Sequence, residues 1–166
     1  MYRERVIYMA IKVGMVSLGC AKNQVDGEML MANLKNAGFE LCDDAALADV
    51  AIVNTCGFID SAKKESIDEI LELATLKKEG RIKKIVVTGC LAERYREEIH
   101  KELPEVDGVF GIGANADIAA CIESAMNDFT ESFPEKSKMP LCGERELSTP
   151  SYFASVSYTH LTLPTT

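Results

Sequence analysis

The sequence predicts an α/β domain: a doubly wound, mostly parallel sheet of about five strands with helices on both faces. Three observations predict it. Short apolar runs rich in β-branched residues alternate with longer segments of helical periodicity. The links between them are short and carry Gly, Asn or Pro. The composition, 166 residues with 47% hydrophobic content, is that of a globular chain able to bury a sizeable core. Right-handed crossovers and the strand order 2-1-3-4-5 are the expected topology.

The first strand is Ile11 to Ser17, closed by Leu18-Gly19. A helix follows, with Asn23 placed to cap it, Val25, Leu30, Leu34 and Ala37 near one stripe, and Gly38 placed to end it. Phe39 to Leu41 suits a short second strand, and the continuous apolar run Ala48 to Val53 a buried third one. The longest helix starts at Asp60 or Ser61, carries Ile67, Ile70, Leu71 and Ala74 at i, i+3, i+4, i+7, and stops at Gly80. Lys84 to Thr88 repeats the buried-strand pattern and leads into a helix with Leu91, Tyr95, Ile99 and Leu103 on one face, before Pro104. Val106 to Phe110 gives the last strand, followed from about Asn115 by a helix with Ile118, Ile122, Ala125 and Phe129 aligned.

Residues 11–127 are therefore read as the domain and residues 1–10 as an amino-terminal extension. Residues 128–154, where periodicity fades into Pro, Ser, Thr and Lys, are read as a linker. Residues 155–166, SVSYTHLTLPTT, read like translated sequencing-adaptor sequence and are expected to be a non-native tail.

A net charge of −8 opposes a phosphate backbone, so direct nucleic-acid binding is not expected of this domain. The one tight basic cluster, Arg81, Lys83 and Lys84, is read as a solvated lead-in to the strand it precedes. The first ten residues lack a signal-peptide apolar run, and no stretch approaches the roughly 18 apolar residues of a membrane span. The expectation is a cytoplasmic chain with no membrane partner.

Six cysteines stand at 20, 42, 56, 90, 121 and 142, the closest pair 14 positions apart, which excludes local CxxC knuckles. A cytoplasmic chain of this kind is also a poor setting for a disulfide framework. Three of the six share one setting: a buried strand, a short Gly- or Asn-containing turn, the cysteine, then a helix. The segments are SLGC ending at Cys20, VNTC at Cys56 and VTGC at Cys90. In a parallel sheet the carboxyl ends of all strands lie along one edge, so residues 36 and 34 positions apart can meet there.

Three converging thiolates repel one another unless a cation or cluster neutralises them, and soft sulfur ligands select zinc, copper(I) or iron-sulfur clusters. The helices that follow favour thiolates at their amino ends. A structural zinc site is normally closed by four protein ligands. Cys42, Cys121 and His100 are poorly placed to supply a fourth, whereas a 4Fe-4S cluster on three cysteines keeps one iron open for chemistry. Plain burial of each cysteine is the alternative. Asn23 and Asn54 flank the ligands and are candidates for orienting the cluster or a sulfur by hydrogen bonding, with capping and turn roles as the other explanation. Gly111-Ile112-Gly113-Ala114-Asn115-Ala116 has the form of a dinucleotide fingerprint, but it follows the last strand, so its glycines are read as turn residues.

With these residues in hand, SLGCAKNQVDGE around Cys20, ADVAIVNTCGFIDSAKKESIDEI around Cys56 and VVTGCLAERY around Cys90 resemble three amino-terminal signatures of the radical S-adenosylmethionine methylthiotransferase family, over about Ile11 to Ala154. The resemblance implies that Cys20, Cys56 and Cys90 hold an auxiliary 4Fe-4S cluster. It also implies a following domain with a second 4Fe-4S cluster and S-adenosylmethionine. The CxxxCxxC motif of that domain is not in this sequence, so the piece alone is expected to hold one cluster and not to complete catalysis, and to carry no catalytic residue of its own. Ala-Lys-Asn after Cys20 and Gly-Phe-Ile-Asp after Cys56 resemble the branch that modifies an aspartate of the small-subunit ribosomal protein S twelve, the partner so implied. The alternatives are the transfer-RNA branch of the same family, a non-enzymatic α/β binding domain, or a structural zinc site.

Overall fold

In a computed structural model the chain is described over residues 11–57, 59–127 and 129–132. The expectations for residues 1–10, for the expected linker beyond Ser132 and for 155–166 lie outside the described residues. The strands are β1 (Lys12–Ser17), β2 (Glu40–Cys42), β3 (Val50–Thr55), β4 (Lys84–Gly89), β5 (Gly108–Phe110) and β6 (Thr130–Ser132). The helices are α1 (Ala21–Asn36), α2 (Asp60–Lys78), α3 (Cys90–Glu102) and α4 (Ile118–Asn127), with 3-10 turns at Ala45–Leu47 and Ile112–Asp117.

The strands form one sheet in the order β2-β1-β3-β4-β5-β6, every neighbouring pair parallel. This is the expected order with one strand added at the edge. β6 has three residues, TES, and no apolar run, so no strand signal exists in it. Its backbone makes the strand: Thr130 N–H donates to Asp107 O at 3.0 Å and Gly111 N–H to Ser132 O at 2.8 Å. β3 lies at the centre and is buried from Val50 to Thr55. Its alternating side chains feed two cores, and each aliphatic side chain fully removed from water contributes about 1.5 to 3 kcal/mol.

One core holds Val13, Leu30, Leu34, Ile52, Val86, Phe110, Ile118 and Ile122, so α1 and α4 share a face. The other holds Val53, Ile70, Leu73, Ile85, Val87, Leu91 and Ile99, so α2 and α3 share the opposite face. The step from β5 to β6 runs in the same direction as those from β3 to β4 and β4 to β5, yet its helix lies on the other face. This last crossover therefore has the opposite hand to the two before it, against the uniform hand expected. The physical reason is local: α3 covers β5 on the α2 side, and the apolar stripe of α4 buries against Phe110 and beside α1 instead.

Several local expectations are corrected. Cys20, not Asn23, is the N-cap residue of α1. Leu71 points to solvent, because Ser66, Ile70, Leu73 and Ala74 form the buried side of α2. The last helix begins at Ile118 rather than near Asn115, and Phe129 lies past its end, its ring 4.2 Å from that of His100. Gly38 and Gly80 follow α1 and α2 closely, as expected.

The amino-terminal edge of the sheet is fastened by charge. Asp107 accepts from Lys77 Nζ at 2.6 Å, Lys84 Nζ at 3.2 Å and the Ile85 N–H at 2.9 Å. Asp49 accepts the Lys12 N–H at 3.0 Å and pairs with Lys83 at 3.0 Å. The backbone bond from Lys12, helped by Lys83, holds the Asp49 carboxyl below its ordinary value of 3.8. A carboxylate lowered on folding stabilises the fold above its ordinary value, and that contribution is lost as pH falls through the lowered one. Asp49→Asn is thus expected to be less stable than the parent at pH 7, with the two converging below about pH 3.8. Urea unfolding at pH 7 and pH 3 checks this; a gap that persists unchanged at pH 3 contradicts it.

Candidate functional site

Parallel strands bring Cys20, Cys56 and Cys90 to the carboxyl edge of β1, β3 and β4, three adjacent strands. Ser17 is in register with Asn54 and Thr55 with Gly89, so each cysteine emerges within a few residues of the same level. Cys20 is exposed, Cys90 is half-buried and Cys56 is buried. Cys42 and Cys121 lie elsewhere: the Cys42 thiol donates to Asp44 O at 3.2 Å, and Cys121 is buried in α4. Cys142 lies outside the described residues.

The loops bearing the three thiols are interlocked. A Cβ on Gly19 would sit 2.4 Å from Cys56 Cβ and 2.8 Å from its Sγ, so the backbone before Cys20 lies directly on the Cys56 side chain. Asn23 is buried, and its Nδ2 donates to Leu18 O, to Asn54 O at 3.1 Å and to Thr55 O at 3.2 Å. Asn54 answers with its own Nδ2, which donates to Asn23 O at 2.7 Å and Ser17 Oγ at 3.2 Å. Thr55 Oγ1 donates to Thr88 O at 2.6 Å, tying the ends of β3 and β4. The two asparagines singled out in the sequence thus spend these amide donors on fixing the rim, reaching between the β1–α1 connection and β3.

The electrostatics of the rim are mutual. Burial pushes the Cys90 thiol up, and neighbouring Cys56 and Cys20 act in the same direction, against a lowering pull from Lys22. The direction is opposite to the lowering expected at the start of a helix, with burial the largest cause. Lys22 is itself 3.3 Å from Asp26, one turn on. Cys56 differs from the other two: residues 57–59 separate it from α2, which begins at Asp60 as expected. The side chains are not drawn to a single point: among the described residues no three His, Cys, Asp or Glu groups are arranged to hold one metal ion.

Sequence reasoning missed Ser66. It is fully buried in α2, and its hydroxyl meets the backbone of Cys56 twice, at 3.2 and 3.1 Å. No signal announces it, since a serine in the second turn of a helix reads as a neutral surface residue.

Comparison with known proteins places this rim. The profile of the uncharacterized protein family UPF0004 matches residues 12–111, which span β1 to β5 and all three cysteines of the rim. The chain is 53% identical over 117 residues, 70% of its own length and 25% of the relative's, to a protein of Anaeromyxobacter sp. (strain K) named ribosomal protein uS12 methylthiotransferase RimO. A protein of the same name from Clostridioides difficile (strain 630) is 46% identical over 152 residues, 87% of this chain and 33% of the relative. A third, from Streptomyces coelicolor, is 50% identical over 115 residues, 69% and 23% of the two lengths. The chain spans about a quarter to a third of the length of these relatives. It belongs to the uncharacterized protein family UPF0004, and its similarity to proteins named as methylthiotransferases covers that shared portion.

Proposed function

We propose that this chain is the cluster-holding portion of a radical methylthiotransferase acting on an aspartate of the small-subunit ribosomal protein uS12. The observation that carries the reading is the delivery of three cysteines, 36 and 34 positions apart in sequence, to one rim of a parallel sheet. The names of the relatives supply the reaction class and the protein substrate. Residues 11–127 form the cluster-binding unit, and no helix among the described residues is long and apolar enough to cross a membrane. The ribosomal substrate makes the cytoplasm the working compartment.

The donor set fits a 4Fe-4S group: three soft thiols from adjacent strand ends, on backbones locked by Asn23, Asn54 and Gly19, with a face open to solvent at Cys20. A cluster spreads its ligand sulfurs over several irons, so its ligands need not converge as those of a single zinc do. Such a group, when bound, would supply an iron free of protein ligands for sulfur chemistry. What this chain does toward the reaction is mechanical and electrostatic. Cys20, Cys56 and Cys90 would hold the group, the asparagine interlock fixes their spacing, and Lys22 adds positive charge beside an anionic site. The second cluster, the S-adenosylmethionine and the radical belong to the parent enzyme.

Anaerobic reconstitution with ferrous iron and sulfide tests the reading. About four iron and four sulfide per chain are expected, with the broad visible absorption of a cluster. Cys20→Ala, Cys56→Ala and Cys90→Ala should each lose most of it, while Cys42→Ala and Cys121→Ala keep it. A chain that stays colourless, that binds zinc in its place, or that keeps its iron without Cys56 belongs to another function. The parent enzyme, given uS12 and transfer RNA in turn, should add the methylthio mass to the protein alone.

A further inference from the structure

Cys20 is held as the N-cap of α1, and Cys90 is the first residue of α3, so a helix start fixes the backbone of each. Cys56 has no such hold. It lies one residue past the end of β3, and residues 57–59 part it from α2. Its buried N–H and C=O still need partners, and leaving either unmet would cost free energy. Both find the same one. Ser66 Oγ accepts the Cys56 N–H at 3.2 Å and donates to the Cys56 carbonyl at 3.1 Å, from a side chain with no exposed surface. A hydroxyl accepts and donates through one oxygen, so a single short side chain serves both groups. A mid-helix serine usually turns that hydroxyl to its own helix or to water.

We propose that Ser66 is a positioning residue for the site: by fixing the peptide groups on both sides of Cys56 it stands in for the missing helix start, and so sets how tightly the three thiols keep their iron. This rests on the cluster reading above. Ser66 bonds the backbone of Cys56 and so acts through the orientation of one ligand, as groups behind metal ligands do when their loss weakens binding by roughly 10- to 100-fold.

The test is iron release from the reconstituted chain to a ferrous chelator, followed by the decay of visible absorption. Ser66→Ala removes a single oxygen. Ser66→Thr and Ser66→Val form a pair alike in shape that differs in the hydroxyl. Release is expected to be roughly tenfold or more faster in Ser66→Ala and Ser66→Val than in the parent, with Ser66→Thr close to the parent. Asp107→Asn, which weakens the opposite edge of the sheet, provides the comparison for mere destabilisation, read against apo melting temperatures. Equal release by the Thr and Val variants overturns the inference, as does a single trend of release with melting temperature that includes Asp107→Asn. If Ser66→Ala does not fold, the Thr and Val pair decides. A parent chain that takes up no iron overturns the cluster reading itself, a result distinct from a parent that holds iron and variants that hold it equally well.

Discussion

Gly89→Ala is expected to lower the melting temperature by roughly 10 °C or more. Gly89 ends β4 at φ 95° and ψ −162°, a region occupied almost only by glycine, where another residue is strained by about 1 to 3 kcal/mol. Space compounds the strain. A Cβ there would lie 2.4 Å from Thr55 O and 2.8 Å from Thr55 N. These are backbone atoms of the central strand, held in register against Gly89 itself, so nothing flexible is available to yield. The sum approaches the range reached only by severe core lesions, in a fold whose whole stability is on the order of 5 to 15 kcal/mol. Thermal unfolding followed by circular dichroism measures it, and a melt within about 2 °C of the parent would contradict the argument.

Asn23→Ala is the second large loss, expected at about 2 to 3 kcal/mol in urea unfolding. The amide of Asn23 is the donor for three carbonyls, those of Leu18, Asn54 and Thr55, and it does this from a buried position. Truncation takes this donor from two buried carbonyls, Asn54 O and Thr55 O, of which Asn54 O still accepts the Leu18 N–H at 2.9 Å. Asn23→Asp should be worse, since it keeps the shape but replaces the donor with a negative charge aimed at carbonyl oxygens. If Asn23 were only a helix cap, the aspartate would substitute well, because aspartate caps as effectively as asparagine. The order of the two variants therefore separates an interlocking role from a capping one.

The sheet, its strand order and the placing of Cys20, Cys56 and Cys90 after three adjacent strands were legible because each rests on a repeated pattern. Apolar runs such as Val50 to Val53 mark buried parallel strands, and the strand-turn-cysteine unit recurs three times. What escaped was whatever depends on contacts distant in sequence. β6 has no hydrophobic signature and exists through its pairing with β5. The reversed hand of the last crossover follows from which face of the sheet was left uncovered, a tertiary matter that no local window reports. Asn23 looked like a cap by composition, but its amide serves carbonyls up to 32 residues away. Ser66 gave no signal at all, because its partner lies ten residues back on a different element.

β6 has a consequence for whatever follows it along the chain. α4 returns the polypeptide to the charged edge, where Thr130 bonds to Asp107; the strand then carries it across again, and Ser132 finishes level with Phe110 and Thr88. The carboxyl end of β6, at Ser132, thus lies on the thiol side, two strand spacings or about 10 Å from the end of β4. A module joined to that strand end by a short tether would be held near the sulfurs at an effective concentration in the millimolar range. Cutting the polypeptide just after Ser132 and supplying the remainder as a separate molecule would forfeit that proximity while leaving every contact of the sheet in place.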